Sequence, residues 1–161
     1  MGDRTAAVLT VSDSVAAGMA EDVSGPRAAE LLDALGMDVI EVRVVPDGVE
    51  SVVGALEDLA QRVDLVITTG GTGLAPRDLT PEATLQVIDR EVPGIAEALR
   101  AATFASVPHG KLSRGVAGLR GGCLIVNLPG STKAVEEGLE VIGDVLAHAV
   151  DVARGDVGRH G

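Results

Sequence analysis

The chain has 161 residues, of which 46% are hydrophobic and 1% are aromatic, and its formal net charge is −11. This length suits one domain, and the hydrophobic fraction excludes intrinsic disorder as the main state. The acidic charge and the scarcity of aromatic rings argue against nucleic-acid binding, and the charge also argues against binding to anionic membranes. We therefore expect a single domain over 1–161, with an aliphatic core ordered over about 5–154.

Signals for cellular location are few. The single cysteine, Cys123, cannot form an intrachain disulfide, and its place in an apolar run predicts a small buried side chain. The N-terminus lacks the long apolar region of a signal peptide, and no apolar run reaches the roughly 18 residues of a membrane span. These features predict a cytoplasmic protein.

The first half of the chain alternates strand and helix patterns. The apolar run 6–11 predicts a buried strand, and the small polar residues 14–23 predict a loop. Ser24 is placed to cap a helix that ends at Gly36 in the left-handed conformation. The β-branched run 39–45 then predicts a second strand.

The pattern continues through the second half. A helical stripe begins at Val49, and the run 65–67 predicts a strand buried on both faces. Thr80, followed by proline and glutamate, predicts a capped helix start, and Pro93 opens a further helix.

The last part of the chain is rich in glycine before it turns apolar again. Residues 110–122 hold five glycines and predict a short hairpin or an irregular strand pair. The run 124–126 predicts the last buried strand, Ser131 caps a long final helix, and the tail from Gly155 is expected to fray. The alternation as a whole predicts a three-layer α/β/α fold with a mostly parallel twisted sheet.

Ligands of such sheets bind beyond the carboxyl ends of the strands. Four predicted strand ends carry polar or glycine-rich turns, at Ser12-Asp13, Pro46-Asp47, Gly70-Gly71-Thr72-Gly73 and Asn127-Leu128-Pro129-Gly130-Ser131. We expect all four turns to lie at one edge of the sheet, where they would form a common site.

The glycine loop, defined here as Gly70, Gly71, Thr72 and Gly73, can present backbone N–H groups to an anion. It does not fit the P-loop spacing, because no Gly-Lys-Ser/Thr follows. It does not fit GxGxxG either, because Pro76 stands where that pattern requires glycine. A tight turn without a ligand is nearly as good an explanation of the spacing alone.

Two carboxylates, Asp47 and Asp78, are expected beside this loop. A carboxylate pair near bound phosphates suits Mg²⁺, which prefers oxygen ligands. Taken singly, Asp47 fits a turn residue and Asp78 fits a helix cap, whereas their shared placement favours a functional role. Asp13 is weaker evidence, because it also fits an Asx-turn. The residues therefore indicate a domain that binds a phosphorylated small molecule, with Mg²⁺ as a candidate ion.

Several motifs occur in order along the chain. They are Thr10-Val11-Ser12-Asp13, Asp22-x-Ser24-Gly25, Val45-Pro46-Asp47, Thr68-Thr69-Gly70-Gly71-Thr72-Gly73, Arg77-Asp78-x-Thr80-Pro81-Glu82-Ala83-Thr84, Pro93-Gly94, Leu112-Ser113-Arg114 and Asn127-Leu128-Pro129-Gly130-Ser131. In this order they resemble the molybdopterin adenylyltransferase family, to which the G domain of eukaryotic molybdenum-cofactor proteins is similar. The resemblance covers about residues 5–154.

This resemblance implies an enzyme of molybdenum cofactor biosynthesis. Such an enzyme transfers AMP from ATP to molybdopterin with Mg²⁺ and releases pyrophosphate. By resemblance, Asp47 and Asp78 would be the catalytic and Mg²⁺-binding acids. Nucleotide and phosphate would be bound by the glycine loop with Pro129, Gly130 and Ser131, and the pterin by Ser12, Asp13, Ser113 and Arg114. A homotrimer and transfer of the product to a molybdenum-inserting enzyme are also implied.

Two alternatives stay open. The chain could bind molybdopterin as a related module without adenylylating it. It could also be a related domain of a larger protein, such as the molybdenum insertase or the competence-damage family, although its length of 161 residues is expected to favour a separate protein.

Overall fold

The computed structural model describes residues 3–156, and its strands form one sheet. In this part of the chain the strands are β1 (Thr5–Val11), β2 (Asp38–Val45), β3 (Leu65–Thr69), β4 (Arg90–Glu91), β5 (Ala117–Arg120) and β6 (Cys123–Leu128). Their order across the sheet is β2-β1-β3-β6-β5-β4. β2, β1, β3 and β6 run parallel to one another, and β5 joins β4 and β6 in antiparallel pairs. The predicted mostly parallel sheet is confirmed.

Helices cover both faces of the sheet. They are α1 (Asp13–Ala16), α2 (Ser24–Ala34), α3 (Val49–Ala60), α4 (Thr80–Val87), α5 (Pro93–Ser106) and α6 (Thr132–Ala153), with a 3₁₀ helix at Pro108–Leu112. α2, α5 and α6 pack aliphatic side chains against one face, and α3 and α4 pack against the other. The predicted three-layer α/β/α architecture is therefore confirmed. Between residues 3 and 156, no helix combines the length and hydropathy needed to cross a membrane.

The parallel strands end together at one edge of the sheet. Val11 at the end of β1 is level with Val45 at the end of β2, and Thr69 at the end of β3 is level with Leu128 at the end of β6. Because β1 also pairs with β3, the turns that follow all four strands meet there. The expectation of one common edge is confirmed.

Two predicted helix caps are wrong. Ser24 lies inside α2, where its hydroxyl pairs with that of Thr69 at 3.0 Å, and the carboxylate of Asp22 accepts the N–H of Gly25 instead. Thr80 lies inside α4, and its hydroxyl donates to the carbonyl of Gly70. In both cases the hydroxyl bonds to a residue outside the helix, so it does not cap the end of the helix as the local pattern predicted.

The remaining local predictions concern loops, helix ends and the C-terminal tail. The loop predicted over 14–23 begins with part of α1, because Ser12 accepts the N–H of Val15 at 3.3 Å and caps a short turn. Within 110–122, the chain finishes the 3₁₀ helix and forms β5, whose hairpin partner is the last strand. Gly36 is left-handed and Ser131 caps α6, as predicted. Of the tail predicted to fray, residues 157–161 lie outside the described residues.

Candidate functional site

A cleft of about 420 Å³ opens at the carboxyl edge of the sheet, and we call it the main cleft. The glycine loop, Asp78, Ser113 and the turn at 129–131 line it. Lys133 and Glu137, on the first turns of α6, line it as well, with their charged groups 3.8 Å apart. The predicted nucleotide- and phosphate-binding residues therefore share one cavity.

The glycine loop needs its glycines. Gly70 and Gly71 have φ angles of +97° and +70°, a region that other residues rarely adopt. A Cβ at Gly70 would overlap the carbonyl oxygen of Val11, and one at Gly71 would overlap the hydroxyl of Thr80. This backbone can thus approach its neighbours, and a ligand, more closely than a chain with side chains could.

Thr80 fixes the loop against α4. Its hydroxyl donates to the carbonyl of Gly70 at 2.9 Å, and its backbone N–H donates to the carbonyl of Gly71 at 3.1 Å. The N–H of Gly70 in turn donates to the carbonyl of Leu128 at 3.0 Å. The loop is therefore held from both α4 and β6 before any ligand binds.

A buried amide continues this network into the core. The side-chain nitrogen of Asn127 donates to Thr68 at 3.0 Å and to Thr84 at 3.1 Å, and its oxygen accepts the N–H of Val116 at 3.1 Å. The Thr84 hydroxyl donates to the carbonyl of Thr80. Sequence reasoning gave Thr80 only the role of a helix cap and Asn127 only a place in a strand-end turn, although an amide directly after the apolar run 124–126 was a visible signal of this network.

The two candidate acids flank the glycine loop. Oδ1 of Asp47 lies 3.3 Å from where a Cβ of Gly71 would stand, and Oδ2 of Asp78 lies 2.9 Å from the same point of Gly73. Burial raises the pKa of the Asp47 carboxyl above its ordinary value. The nearby charges of Asp13 and Asp78 raise it further, and the N–H of Asp13 opposes them. The prediction that both acids stand beside the loop is confirmed geometrically.

Asp13 holds Asp47 in place and is itself paired. Arg77 contacts both oxygens of Asp13, at 2.6 and 2.9 Å, and donates to the carbonyl of Asp47 at 2.8 Å. The guanidinium lowers the pKa of the Asp13 carboxyl. Arg77 is 63% exposed, so this cluster lies on the rim of the edge rather than inside the main cleft.

A second cleft of about 300 Å³ adjoins the main one. The ends of β1 and β3 and the starts of α2 and α6 line it, and Ser12 is among its residues. Gly70, Gly130 and Ser131 line both clefts and so form a shared wall between them.

The structure distributes the four candidate pterin residues over different places. Ser12 lines the second cleft, and Ser113 lines the main cleft. Asp13 and Arg114 line neither cleft, and the charged groups of both are bonded to other residues of the chain. The four residues therefore do not form one patch.

A divalent cation would need more than protein ligands here. Over residues 3–156, no group of three or more His, Cys, Asp or Glu residues could hold a metal ion. Asp47 and Asp78 offer two carboxylates at the loop, and Mg²⁺ commonly takes one or two carboxylates together with phosphate oxygens. The donor set therefore fits an ion that arrives with a phosphate ligand.

Comparison with known proteins identifies the chain's relatives. The family described as "Probable molybdopterin binding domain" matches residues 7–148. The chain belongs to this family. The molybdopterin-binding family thus accounts for both the sheet and the motifs at its carboxyl edge, and the resemblance read from the sequence is confirmed.

Solved and curated members of the molybdopterin-binding family extend the likeness. The molybdopterin biosynthesis Mog protein of Mycobacterium ulcerans shares 44% identity and a TM-score of 0.90, over 96% of this chain and 99% of that one. The MoaB enzyme of Thermus thermophilus shares 44% identity and a TM-score of 0.89, over 94% and 97%. The molybdopterin adenylyltransferase of Haemophilus influenzae is 42% identical over 85% of this chain and 72% of its own.

Some members of the molybdopterin-binding family are much longer. Gephyrin of Dictyostelium discoideum is 38% identical over 89% of this chain, and the match covers 21% of gephyrin. For the molybdenum cofactor synthesis protein cinnamon of Drosophila melanogaster, the covered share is 26%. The chain therefore spans about a fifth to a quarter of the length of these two relatives.

Proposed function

We propose that this protein is a molybdopterin adenylyltransferase that transfers AMP from ATP to molybdopterin in molybdenum cofactor biosynthesis. The observation that carries the proposal is the glycine loop, which lines the main cleft together with Asp78 and has Asp47 beside Gly71, although Asp47 does not line that cleft. Two bacterial relatives that are named molybdopterin adenylyltransferase are 38% and 42% identical to this chain. Adenylyl transfer depends on positioning and charge neutralisation, which such an edge supplies.

The two adjoining clefts suit a reaction of two substrates. If each cleft takes one substrate, their shared wall, formed by Gly70, Gly130 and Ser131, would bring the phosphates of the two substrates next to each other. The terminal phosphate oxygen of molybdopterin would attack the α-phosphorus of ATP. The new phosphorus–oxygen bond forms as the bond to the β-phosphate breaks, and pyrophosphate leaves.

Residues of this chain would neutralise and orient the phosphates. Backbone N–H groups of the glycine loop and the N-terminus of α6 present positive partial charge to anions. Lys133 adds a positive charge at the main cleft, which the nearby carboxylate of Glu137 partly offsets. Asp47 and Asp78 would hold Mg²⁺, which supplies further neutralisation of the triphosphate when bound.

Pyrophosphate release tests the proposal. Purified protein is given ATP and Mg²⁺ with and without molybdopterin, and pyrophosphate is measured. We expect release that depends on molybdopterin, together with adenylylated molybdopterin as the product. Binding of molybdopterin without release would instead support the second candidate, a binding module, and would overturn the transferase assignment.

The assembly state is a separate part of the proposal. Resemblance to the family supports a homotrimer and transfer of the product to a molybdenum-inserting enzyme. Light scattering at micromolar concentration would give three times the monomer mass for the trimer. A monomer mass would overturn this part without touching the reaction.

A further inference from the structure

Arg114 uses its side chain to join two ends of one loop. Its Nε donates to the carbonyl of Gly73 at 2.9 Å, and its Nη2 donates to the carbonyl of Asp78 at 2.6 Å. The backbone N–H of Arg114 donates to the carbonyl of Thr72 at 2.9 Å. The residues between these carbonyls, 74–77, are exposed, and we call the segment 73–78 the acid loop.

Apart from Arg114, the acid loop is tied to the rest of the protein by its own exposed Arg77, which bonds to Asp13 and to the carbonyl of Asp47. Its internal bonds join Ala75 and Asp78: the N–H of Ala75 donates to the Asp78 carboxylate at 3.0 Å, and the N–H of Asp78 donates to the carbonyl of Ala75 at 2.9 Å. The loop carries the carboxylate that we assign to Mg²⁺. A planar guanidinium with fixed donor directions restricts both ends of such a loop at once.

Glu82 fixes the guanidinium in turn. Its carboxylate, on the first turn of α4, accepts from Nη1 of Arg114 at 2.6 Å and from Nη2 at 3.3 Å. The same contact lowers the pKa of the Glu82 carboxyl, so Glu82 is charged at neutral pH. Nε and both protons of Nη2 are thereby used within the protein, and Arg114 does not line the main cleft.

We propose that Arg114 is a positioning residue, held by Glu82, that sets the place of the Asp78 carboxylate, and that it is not a ligand of the pterin. This inference rests on the proposed function for its catalytic consequence. The structural part of the inference, that Arg114 restrains the acid loop, does not depend on the proposed function.

Two variants separate positioning from substrate binding. Arg114→Lys keeps the positive charge and loses the fork of donors. Glu82→Gln keeps the shape and loses the charge that orients Arg114. Arg120→Lys is the matched control, because the Arg120 guanidinium also donates to the backbone, at the carbonyl of Val87 at 2.9 Å, but lies away from both clefts.

Steady-state kinetics give the first readout. For a positioning role, we expect kcat to fall about 10- to 100-fold in Arg114→Lys, with KM for molybdopterin within about twofold of the parent, because small misplacements act on the reaction step. Glu82→Gln should lower kcat in the same direction. If Arg114 bound the pterin substrate, Glu82→Gln would free it and lower KM, and that result would overturn the proposal.

Hydrogen–deuterium exchange gives a readout that needs no activity. Peptides covering the acid loop should exchange faster in Arg114→Lys and Glu82→Gln than in the parent, whereas Arg120→Lys should match the parent there. Unchanged exchange in both variants would overturn the proposal. If the parent itself transferred no AMP, the proposed function would be wrong. The exchange experiment would still show whether Arg114 restrains the acid loop.

Discussion

Asp13 and Asp47 exchange hydrogen bonds: the N–H of Asp13 donates to Oδ2 of Asp47 at 3.0 Å, and the N–H of Asp47 donates to Oδ1 of Asp13 at 3.1 Å. This exchange ties the end of β1 to the end of β2. It occupies one carboxylate oxygen of Asp47 and leaves Oδ1 directed toward the glycine loop. Asp13 thus contributes to the site through Asp47 and through its pair with Arg77.

Removing the charge of either candidate acid should abolish turnover. We expect Asp78→Asn and Asp47→Asn each to lower the rate of pyrophosphate release at least about 100-fold, because the Mg²⁺ that would neutralise the triphosphate loses a carboxylate ligand. Thermal unfolding should show both variants folded. Near-normal turnover in Asp78→Asn would show that its assignment is wrong.

The glycine at position 71 should resist substitution. Gly71→Ala places a side chain at a φ of +70° and against Thr80, so we expect a loss of at least about 1 kcal/mol in unfolding free energy and a loss of activity. Gly54→Ala is the control, because Gly54 lies within α3 and an added Cβ would meet only open space. Denaturant titration should show Gly54→Ala more stable than the parent by about 0.5–1 kcal/mol.

The buried amide of Asn127 should support both stability and the site. Asn127→Ala leaves the N–H of Val116 without its present partner and breaks the bonds to Thr68 and Thr84. We expect a loss of about 1–3 kcal/mol in unfolding free energy, measured by urea titration. A variant as stable as the parent would show that this network contributes nothing to the fold.

Cys123 should be inert in the folded protein. It is 2% exposed, and burial raises the pKa of its thiol to about 12. Because the thiolate is the reactive form, a thiol reagent at pH 8 should label the protein only after unfolding in denaturant. Rapid labelling of the native protein would contradict the position of β6.

The pair of Arg4 and Asp151 should make stability depend on pH. Arg4 donates to both oxygens of Asp151, at 2.8 and 2.7 Å, and this contact lowers the pKa of the Asp151 carboxyl. The ion pair therefore stabilises the folded protein at pH values above the pKa of Asp151 in the unfolded chain, about 3.9. This stabilisation is lost as the pH falls through the lower pKa of Asp151 in the folded protein. Asp151→Asn should have a lower Tm than the parent at pH 7.

The difference in Tm between Asp151→Asn and the parent should shrink as the pH falls below about 4, because the carboxyl of the unfolded parent then takes up a proton while the folded one stays ionised down to its lower pKa. A thermal unfolding series across this range checks the prediction. A difference that stays constant with pH would show that the ion pair does not carry the effect. Glu140→Gln, an exposed change on the same helix, is a suitable control.

The amino-acid sequence by itself determined the layers of the fold. The short apolar runs of β1, β3 and β6 predict strands buried on both faces, and the apolar stripes of α2 and α6 need a sheet to pack against. The rule that ligands bind at the carboxyl ends of parallel strands then brought Asp47, Asp78 and the glycine loop together. These predictions depend on local periodicity and on general topology, which a sequence contains.

Only the tertiary structure decided which hydrogen-bond partners the polar side chains have. Ser24 and Thr80 fit helix caps in the sequence, yet the hydroxyl of each bonds to a residue outside its own helix, Thr69 and Gly70. Arg114 fitted a substrate ligand by resemblance, yet it donates to carbonyls 41 and 36 residues away in the chain. A buried donor takes whichever acceptor packing brings within reach, and that choice is made between distant segments. The spacing of residues along the chain therefore does not predict these hydrogen-bond partners.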